Sequence, residues 1–390
     1  MTTHPDLAEA LDPAVATDPL ADADLLYGEV EEDLRGTVRD LLRDRLDPAA
    51  QIRALDSDES HDRRLWRELA GGVGLAGLLV PEDRGGAGAS AREAAVVLEE
   101  LGRAVAAVPF LTSAVVATTA LLAAGRSAAD DALGRLAAGE STAVLALPLS
   151  TSPDAAWPSA VTLDGDRLQG AVTSVADAEL ADAVVVPAVR GGVPVLALAD
   201  GGVATPRPSL DQTRRLADLT LDGVPATVVA EGEDAVAAVR AALLTGAGLL
   251  ASEQLGVAAW CLEETVAYGK VRTQFGRPVG SFQAVKHRLA DVWLEVTSLR
   301  AAARYAADRL ARTSATDPET QLAVAVAQAY ASNVAVHAAE EALQLHGGIG
   351  MTWEHPVHLR LKRAKADQLA FGTPGRHRAA VAALVDLPPA

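Results

Sequence analysis

Two arginines near one short turn are the first residues whose type and spacing suggest chemistry. Arg272 and Arg277 lie in the stretch KVRTQFGRPVGSFQAVKHRLADV, residues 270–292, at a Gly-Arg-Pro-Val-Gly turn between two predicted long helices. An arginine at a helix end can bind an oxyanion through two parallel N–H donors. The alternative is an ion pair between neighbouring helices, and this stretch taken alone slightly favours the ion pair.

A second stretch, LQLHGGIGMTWEHPVHLRLKRA at residues 343–364, combines a glycine pair with three histidines. A helix is predicted to end at Gly347-Gly348, where missing side chains allow a ligand close to the backbone. An ordinary helix C-cap has the same pattern. His346, His355 and His358 raise the question of a metal. No carboxylate or cysteine stands at ligand spacing from them, so we expect no metal site.

The composition excludes several classes of protein. The chain has 390 residues, of which 49% are hydrophobic, and a formal net charge of −18. That charge argues against a protein that binds nucleic acid or an anionic membrane. The single cysteine, Cys261, excludes an intrachain disulfide and a multi-cysteine zinc site, and it suits a reducing cytoplasm. We find no signal peptide and no uninterrupted apolar run of the roughly 20 residues that span a bilayer, so we expect a cytoplasmic protein.

The chain divides by sequence texture into four predicted parts. Residues 1–25 are predicted to form a flexible tail, 26–139 a helical domain, 140–231 a small β domain and 232–390 a helical bundle. The helical parts carry apolar residues at helical period, whereas the middle part has short Val- and Leu-rich runs with a hairpin signal at Asp164-Gly165. Helices are predicted over residues 27–46, 111–124, 128–138, 235–271, 282–312, 320–346, 357–369 and 376–385.

Taken together and in this order, these stretches resemble the acyl-CoA dehydrogenase family. The resemblance runs from about Tyr27 and includes LWRELAGGVGLAGLLVPEDRGGAG, AVVLEELGRA, the β domain and both C-terminal stretches. It implies a mainly α fold with a middle β domain: an N-terminal helical domain, a β-barrel or sandwich domain and a C-terminal four-helix bundle, with FAD between subunits. It also implies a reaction in which a carboxylate removes an α proton while flavin N5 accepts the β hydride, leaving an enoyl-CoA.

The resemblance implies that both C-terminal stretches contact the FAD of a neighbouring subunit. The family's Arg-x-x-Phe-Gly motif reaches the flavin pyrophosphate, and its Gln-x-x-Gly-Gly turn is offered to the same cofactor. Arg272 would offset the diphosphate charge, and the glycine pair would expose backbone to the adenosine end. The residues expected to bind FAD are Arg272, Phe275, Phe282, Gln283, Gln344, Leu345, His346, Gly347, Gly348 and Thr373.

The positions of the family's catalytic base do not match. The Glu-Gly-Thr that commonly carries the base reads Phe371-Gly372-Thr373, and the alternative position on the first bundle helix is Gly246. The family's Trp-Ile-Thr beside the flavin ring corresponds to Ser-Val-Ala at residues 174–176. The acid and arginine that commonly contact substrate correspond to Leu244 and Ala247. The resemblance therefore implies that the base and the cis half of the FAD site are lost, while the trans half is kept.

Asp367 is the remaining candidate for a base, since it lies about one helical turn before Phe371. A solvated acid on a helix is the alternative interpretation. Glu253 follows Gly246 on the same helical face but about 10 Å along the axis, too far for proton transfer at roughly 3 Å. The remaining acids of these helices, predicted to be surface charges, are Glu263, Glu264, Glu340 and Glu341.

Three hypotheses remain open. In the first, the chain is one subunit of a heterodimeric or heterotetrameric FAD-dependent acyl-CoA dehydrogenase whose partner supplies the base and most of the acyl-CoA pocket. An acceptor such as electron-transfer flavoprotein would then take the electrons, and paired actinobacterial enzymes acting on steroid side-chain thioesters are the nearest likeness. In the second, the chain is a homomeric flavoenzyme with a relocated base or altered oxidation chemistry. In the third, it is a flavin-free scaffold.

Overall fold

The computed structural model describes residues 25–55, 62–125 and 127–387. Within them helices come first, strands occupy the middle and helices return, which confirms the predicted mainly α class with a middle β part. The predicted tail over residues 1–25 lies outside the described residues except for its last residue.

One helix of the N-terminal part, α4 (Ala91–Ala104), is buried along most of its length. This helix begins at Ser90, whose hydroxyl accepts the N–H of Arg92 at 3.1 Å while the carboxylate of Glu93 accepts the N–H of Ser90 at 2.8 Å. Such reciprocal caps satisfy backbone donors that the first turn leaves free. The helix predicted over residues 111–124 is a π-type helix, Phe110–Ala117, continued by α5. The helices are α1 (Glu29–Arg45), α2 (Pro48–Ala54), α3 (Arg63–Arg67), α4 (Ala91–Ala104), α5 (Thr118–Ala124) and α6 (Asp130–Ala137).

The middle strands form one continuous eight-stranded mixed sheet. Its order is β6-β7-β3-β2-β4-β5-β8, and β1 pairs with β4. The predicted hairpin at Asp164-Gly165 is confirmed, because it joins the antiparallel strands β2 and β3. The strands are β1 (Ala143–Leu145), β2 (Val161–Asp164), β3 (Arg167–Ala176), β4 (Ala183–Arg190), β5 (Val193–Ala199), β6 (Val203–Arg207), β7 (Leu216–Pro225) and β8 (Thr227–Glu231).

The C-terminal part is a bundle built on three long helices. Their predicted ranges are confirmed to within a few residues, since a sustained helical period is a strong local signal. A two-stranded hairpin, β9 (Thr273–Gln274) and β10 (Arg277–Pro278), joins the first two. The helices are α7 (Glu233–Val271), α8 (Gln283–Arg312), α9 (Pro318–His346), α10 (Val357–Asp367) and α11 (Pro374–Leu384).

Glycines hold the N-terminal part against the bundle where α4 crosses α7. A β carbon at Gly102 would come within 2.1 Å of the carbonyl oxygen of Glu253, and one at Gly256 within 1.9 Å of that of Glu99. Neither position can carry a side chain without separating the two helices. The small residues of the sequence thus set the distance between the two helical parts.

Two helices, α7 and the segment Pro318–Met351, are long and apolar enough to cross a membrane by length and composition. In each, 67% of the most apolar window is buried inside the fold. Their apolar faces are therefore covered by neighbouring helices, as expected for the core of a bundle.

Candidate active site

The two positions that the resemblance assigns to the base are in contact with each other. Phe371 follows α10, and its ring lies against Gly246 in the middle of α7. A β carbon at Gly246 would come within 2.9 Å of Cζ of Phe371 and 2.8 Å of Cγ2 of Val116. No side chain fits at Gly246 unless these neighbours move.

The backbone holds Phe371 in this place. The residue is 4% exposed, its φ is +52°, and its N–H donates to the carbonyl of Leu149 at 2.8 Å. A positive φ is unfavourable for an aromatic residue by about 1–3 kcal/mol and persists only where the surroundings impose it. The loop from the β domain and the helix α7 together impose the inward position of the ring.

The cavity beside the ring is small and apolar. Its volume is about 30 Å³, and its walls include Val116, Leu147, Leu149, Leu243 and Phe371. A cavity of this size has room for about two or three water molecules, at roughly 10–15 Å³ for each. An acyl chain or a flavin ring cannot enter it in this conformation.

The strand segment that would lie beside a flavin ring is bonded within the fold. The N–H of Ser174 donates to Oδ1 of Asp218 at 3.1 Å, and its carbonyl accepts the N–H of Leu149 at 3.1 Å. Ser174 also has a φ of +56° at an irregularity in the pairing of β3 with β7. These backbone groups are therefore occupied by the β domain itself.

Asp367 is not a solvated acid, and that interpretation is wrong. Its side chain is completely buried, and its Oδ1 accepts a bond from Nη1 of Arg214 at 2.8 Å. Arg214 in turn contacts Glu253 at 2.7 Å, and Glu253 accepts from Arg363 at 2.5 Å. Arg363 also donates to Asp211 at 2.5 Å and to Thr213 at 2.7 Å.

This buried ion cluster joins three regions of the chain. Asp211, Thr213 and Arg214 precede β7 in the β domain, Glu253 lies on α7, and Arg363 and Asp367 lie on α10. Buried charges persist only when they are paired and hydrogen-bonded. The cluster therefore fixes α10, and with it the Phe371 turn, against the β domain and α7.

The acids of the cluster differ in protonation. Burial, followed by repulsion from Glu253, raises the pKa of Asp367 well above its ordinary value. Burial alone would also raise the pKa of Glu253 and Asp211, but the guanidiniums of Arg214 and Arg363 hold both pKa values low. Among these five side chains, three carboxyls face two guanidiniums, so their charges balance when Asp367 keeps its proton, and buried Asp177 acts on Arg214 as a further negative charge. Asp367 is thus a buried acid bonded through Oδ1, while its Oδ2 has no hydrogen-bond partner among the described residues.

The arginine turn lies on the surface and is free of ion pairs. Arg272 caps the end of α7, and in the described residues neither Arg272 nor Arg277 forms a salt bridge. The ion pair between helices that the sequence slightly favoured is therefore absent from the described part. Arg277 instead lies over the ring of Phe282 at 3.9 Å. Phe275 is 91% exposed at the tip of the β9–β10 hairpin.

The glycine turn is also open. Helix α9 ends at His346, and Gly347 follows with a φ of +62°. A β carbon at Gly347 or Gly348 would meet no described atom within 4 Å. Gln344 is exposed, Leu345 is half-buried, and the side chain of His346 is buried behind the turn. Gln283 and Thr373 are exposed as well, the latter capping α11 by accepting the N–H of Arg376 at 3.3 Å.

The histidines of this turn have a carboxylate beside them. One ligand atom each from Glu264, His346 and His355 lie within 4.8 Å of one another. The premise that no acid accompanies these histidines is therefore wrong, because Glu264 reaches them from α7. Burial and the neighbouring His346 lower the pKa of His355 to about 4.

The comparisons with known proteins identify the family. The family model described as acyl-CoA dehydrogenase, C-terminal domain, matches residues 236–385, and the one described as acyl-CoA dehydrogenase, N-terminal domain, matches residues 28–140. The chain belongs to the acyl-CoA dehydrogenase family. It is 38% identical over 346 residues to the acyl-CoA dehydrogenase IpdE2 of Mycolicibacterium smegmatis, which covers 89% of this chain and 96% of that protein.

Solved structures superimpose on more than nine-tenths of the chain. The ChsE4-ChsE5 complex from Mycobacterium tuberculosis matches with a TM-score of 0.82 at 29% identity, covering 94% of this chain and 100% of the matched chain. A variant of the Tcur3481-Tcur3483 steroid ACAD matches with a TM-score of 0.81 at 31% identity, covering 93% and 99%. A glutaryl-CoA dehydrogenase from Mycobacterium smegmatis with FADH2 has a TM-score of 0.81 at 22% identity, covering 95% and 99%, and shows the fold alone.

The motifs of the acyl-CoA dehydrogenase family thus fall in two different environments. Those expected to contact a neighbour's cofactor, at residues 272–276 and 344–348, lie on the surface except for half-buried Leu345 and buried His346. Those expected to carry the base, at Gly246 and Phe371, lie in a closed apolar interior.

No pattern in the sequence marks the buried arginines of the ion cluster, because their acidic partners are distant along the chain.

Proposed function

We propose that this chain is a subunit of a heteromeric acyl-CoA dehydrogenase in which a partner carries the base and the acyl-CoA pocket. The chain would donate Arg272 and the Gln344–Gly348 turn to the FAD of that partner. The reaction of the complex would be α,β-desaturation of an acyl-CoA thioester. We expect the complex in the cytoplasm, with an acceptor such as electron-transfer flavoprotein.

The contact between Phe371 and Gly246 is the observation that carries the proposal. A carboxylate at either position would stand where this ring and this glycine lie. Asp367, about one turn before Phe371, is buried and bonded to Arg214, and buried Asp177 accepts a hydrogen bond from Thr112 in the wall of the cavity beside the ring. The base expected in this family is a carboxylate, and a general base must lie within hydrogen-bond reach of the proton it removes. Neither Gly246 nor Phe371 supplies one.

The residues of the trans half fit FAD, whereas those of the cis half do not. Arg272 is exposed and unpaired in the described residues, so its guanidinium can reach a diphosphate. The Gly347-Gly348 backbone is open on the side where a β carbon would project. By contrast, the space beside Phe371 measures about 30 Å³, and the backbone of Ser174 is already bonded. FAD bound between the subunits would accept the substrate hydride, while Arg272 would offset the charge of the diphosphate.

Exposed apolar side chains on the bundle support a partner. Single exposed apolar residues are ordinary, but several on one part of a fold indicate a surface that another chain covers. Trp293 and Leu294 project from α8 with 59% and 60% of their surface exposed. Others in the same part of the chain are Val271, Phe275, Ile349, Met351 and Trp353.

The relatives support both the pairing and the substrate class. The ChsE4-ChsE5 structure is a complex of two named chains, and the Tcur3481-Tcur3483 structure is a steroid ACAD named for two chains. We therefore propose that the partner is a second acyl-CoA dehydrogenase chain and that the substrate carries a steroid-derived acyl group. Heteromers of this kind need only one base per site, which removes selection for a base here.

Co-expression tests the proposal. The chain would be produced alone and together with each acyl-CoA dehydrogenase encoded near it, and bound FAD and dehydrogenation of steroid acyl-CoA would be measured. We expect the chain produced alone to bind little FAD and to have negligible activity. One co-expressed pair should bind FAD and dehydrogenate the substrate. Robust turnover by the chain alone would establish a homomeric enzyme instead. A stable pair without flavin would establish the scaffold.

A further inference from the structure

Three side chains that can bind a metal ion meet beside the Gln344–Gly348 turn. Glu264 lies near the end of α7, His346 is the last residue of α9, and His355 lies just before α10. One ligand atom of each lies within 4.8 Å of the other two. The fold brings them together from three separate elements.

His346 presents a nitrogen that lacks a partner. The residue is 2% exposed, and its Nδ1 lies 2.7 Å from the carbonyl oxygen of Ala342. A carbonyl can only accept, so Nδ1 carries the proton and Nε2 has a free lone pair. No described group donates to Nε2. A buried acceptor without a donor is destabilising, and an N–H held by a backbone carbonyl is the usual support of a metal-binding histidine.

The other two ligands leave a path from solvent. Glu264 and His355 are both half-buried, and the His355 ring lies 4.5 Å from the His346 ring. Tyr268 stacks on His346 with centroids 4.5 Å apart, which fixes the ring plane. Nδ1 of His355 accepts only a 3.3 Å contact from the N–H of Val357. A modest rotation of the His355 ring would therefore break only this long hydrogen bond.

The charged groups around the three residues are accounted for. The buried guanidinium of Arg360 donates to the carbonyl of Arg103 at 2.7 Å and lies over the ring of Trp260 at 3.8 Å. Its positive charge opposes a cation, and Glu264 is the acid that offsets it. His358 is not a ligand, since its ring stacks on Trp353 and its Nε2 bonds the carbonyl of that residue at 2.9 Å.

We propose that Glu264, His346 and His355 form a zinc site with an open fourth position. Two imidazoles and one carboxylate, completed by water, are a ligand set that zinc uses. Bonds of about 2.0–2.2 Å place neighbouring ligand atoms of a tetrahedral ion roughly 3.3 Å apart. The observed separations of up to 4.8 Å therefore close with side-chain shifts of less than about 1 Å each.

A bound ion would tie the end of α7 to the end of α9. The Gln344–Gly348 turn leaves α9 at His346, so the ion would fix the backbone of this turn from behind. This goes beyond the proposed function and does not depend on it, because the ion is bound by this chain alone. A chain without any partner or flavin would still bind it.

Metal binding to the full chain tests the site. After dialysis against a chelator, Zn²⁺ would be titrated calorimetrically, and Co²⁺ would be followed by its visible absorption. We expect one ion per chain, a rise in melting temperature with Zn²⁺, and the intense bands of four-coordinate cobalt. His355→Gln and Glu264→Gln should each weaken binding by roughly 10- to 100-fold or more. Both residues are half-buried, so circular dichroism should show these variants folded.

The matched control is His287→Gln, which removes an exposed histidine on α8. Its affinity for Zn²⁺ should equal that of the unmodified chain. Equal affinity in all four proteins would mean adventitious binding at the surface and would overturn the proposal. Absence of binding up to about 100 µM Zn²⁺, far weaker than structural zinc sites, would overturn it as well.

Discussion

The interior around Phe371 and the surface around Arg272 hold two groups of family motifs, and the side chains of the two regions are packed in opposite ways. At Phe371, a ring with positive φ fills the space beside Gly246 and leaves about 30 Å³. At Arg272, a guanidinium without an acidic partner in the described residues stands beside a hairpin tip whose Phe275 is 91% exposed. The interior is filled by side chains of this chain, whereas Arg272 and Phe275 on the surface project into solvent.

This contrast follows from what each arrangement contributes to the stability of the chain. Filling the interior removes an open cavity, and burial of an aromatic ring is favourable. An exposed arginine contributes almost nothing to the stability of the chain that carries it. Its retention is therefore explained more readily by a contact outside the chain. Four predictions test the contrast.

The largest expected effect concerns catalysis at the closed interior. The chain alone should dehydrogenate no acyl-CoA measurably, because loss of a general base costs on the order of 10²–10⁴-fold in rate. Phe371→Glu alone should not restore activity, since Leu244, Ala247 and Ser174 would still hold neither substrate nor flavin as the family does. Stopped-flow reduction of added FAD by acyl-CoA measures the activity of the unmodified chain and of Phe371→Glu. Turnover that is abolished by Asp367→Asn would contradict this prediction.

The next effect concerns stability, and it separates buried from exposed arginines. Arg363→Met should lower the free energy of unfolding by about 3–5 kcal/mol, because it leaves buried Asp211 and Glu253 short of a donor. Arg272→Met should change it by less than about 0.5 kcal/mol, as expected for a surface substitution. Urea unfolding of both variants provides the measurement. Equal losses would show that Arg272 is held by contacts of its own chain.

The fold was predictable because its signals are local. The period of α7, α8 and α9 and the Asp164-Gly165 turn can each be read within a short window of sequence. The motif residues were placed by order along the chain, and the expected base positions do adjoin, although Gly246 and Phe371 are distant in sequence. Which of the expected FAD residues bind flavin stays a prediction.

The polar interior was not predictable for the opposite reason. Arg214 and Asp367 are 153 residues apart, and Arg363 and Glu253 are 110 apart. A charged residue on an amphipathic helix is usually solvated, so the sequence offers solvation as the alternative interpretation of Asp367 and does not associate Glu264 with the nearby histidines. Only the packing of α10 and α7 brings these partners together.

A smaller effect concerns the surface motif in the complex. Arg272→Ala should weaken FAD binding by about 10- to 150-fold, because hydrogen bonds to charged groups contribute roughly 1.5–3 kcal/mol. Arg272→Lys should recover only part of this, since an ammonium lacks the planar fork. Flavin per complex and melting temperature are measured together, with Arg378→Ala on α11 as an exposed control. Unchanged flavin with a lowered melting temperature would assign Arg272 a structural role.

The smallest effect concerns the proton on Asp367. Its pKa in the fold lies well above the ordinary value of 3.8, so the folded chain holds this proton more tightly than the unfolded chain does. The corresponding stability is fully present below pH 3.8 and is lost as the pH rises through the folded pKa. Asp367→Asn cannot ionise and keeps an oxygen for Arg214. Its melting temperature should therefore fall less than that of the unmodified chain as the pH is raised above 4.

Glu253→Gln is the control of opposite sign. The pKa of Glu253 is lowered from 4.5, so the stability that its ionised form contributes is present above pH 4.5 and is lost as the pH falls. Parallel pH profiles for Asp367→Asn and the unmodified chain would mean that Asp367 is ionised in the fold, and the ion cluster would then carry an uncompensated negative charge.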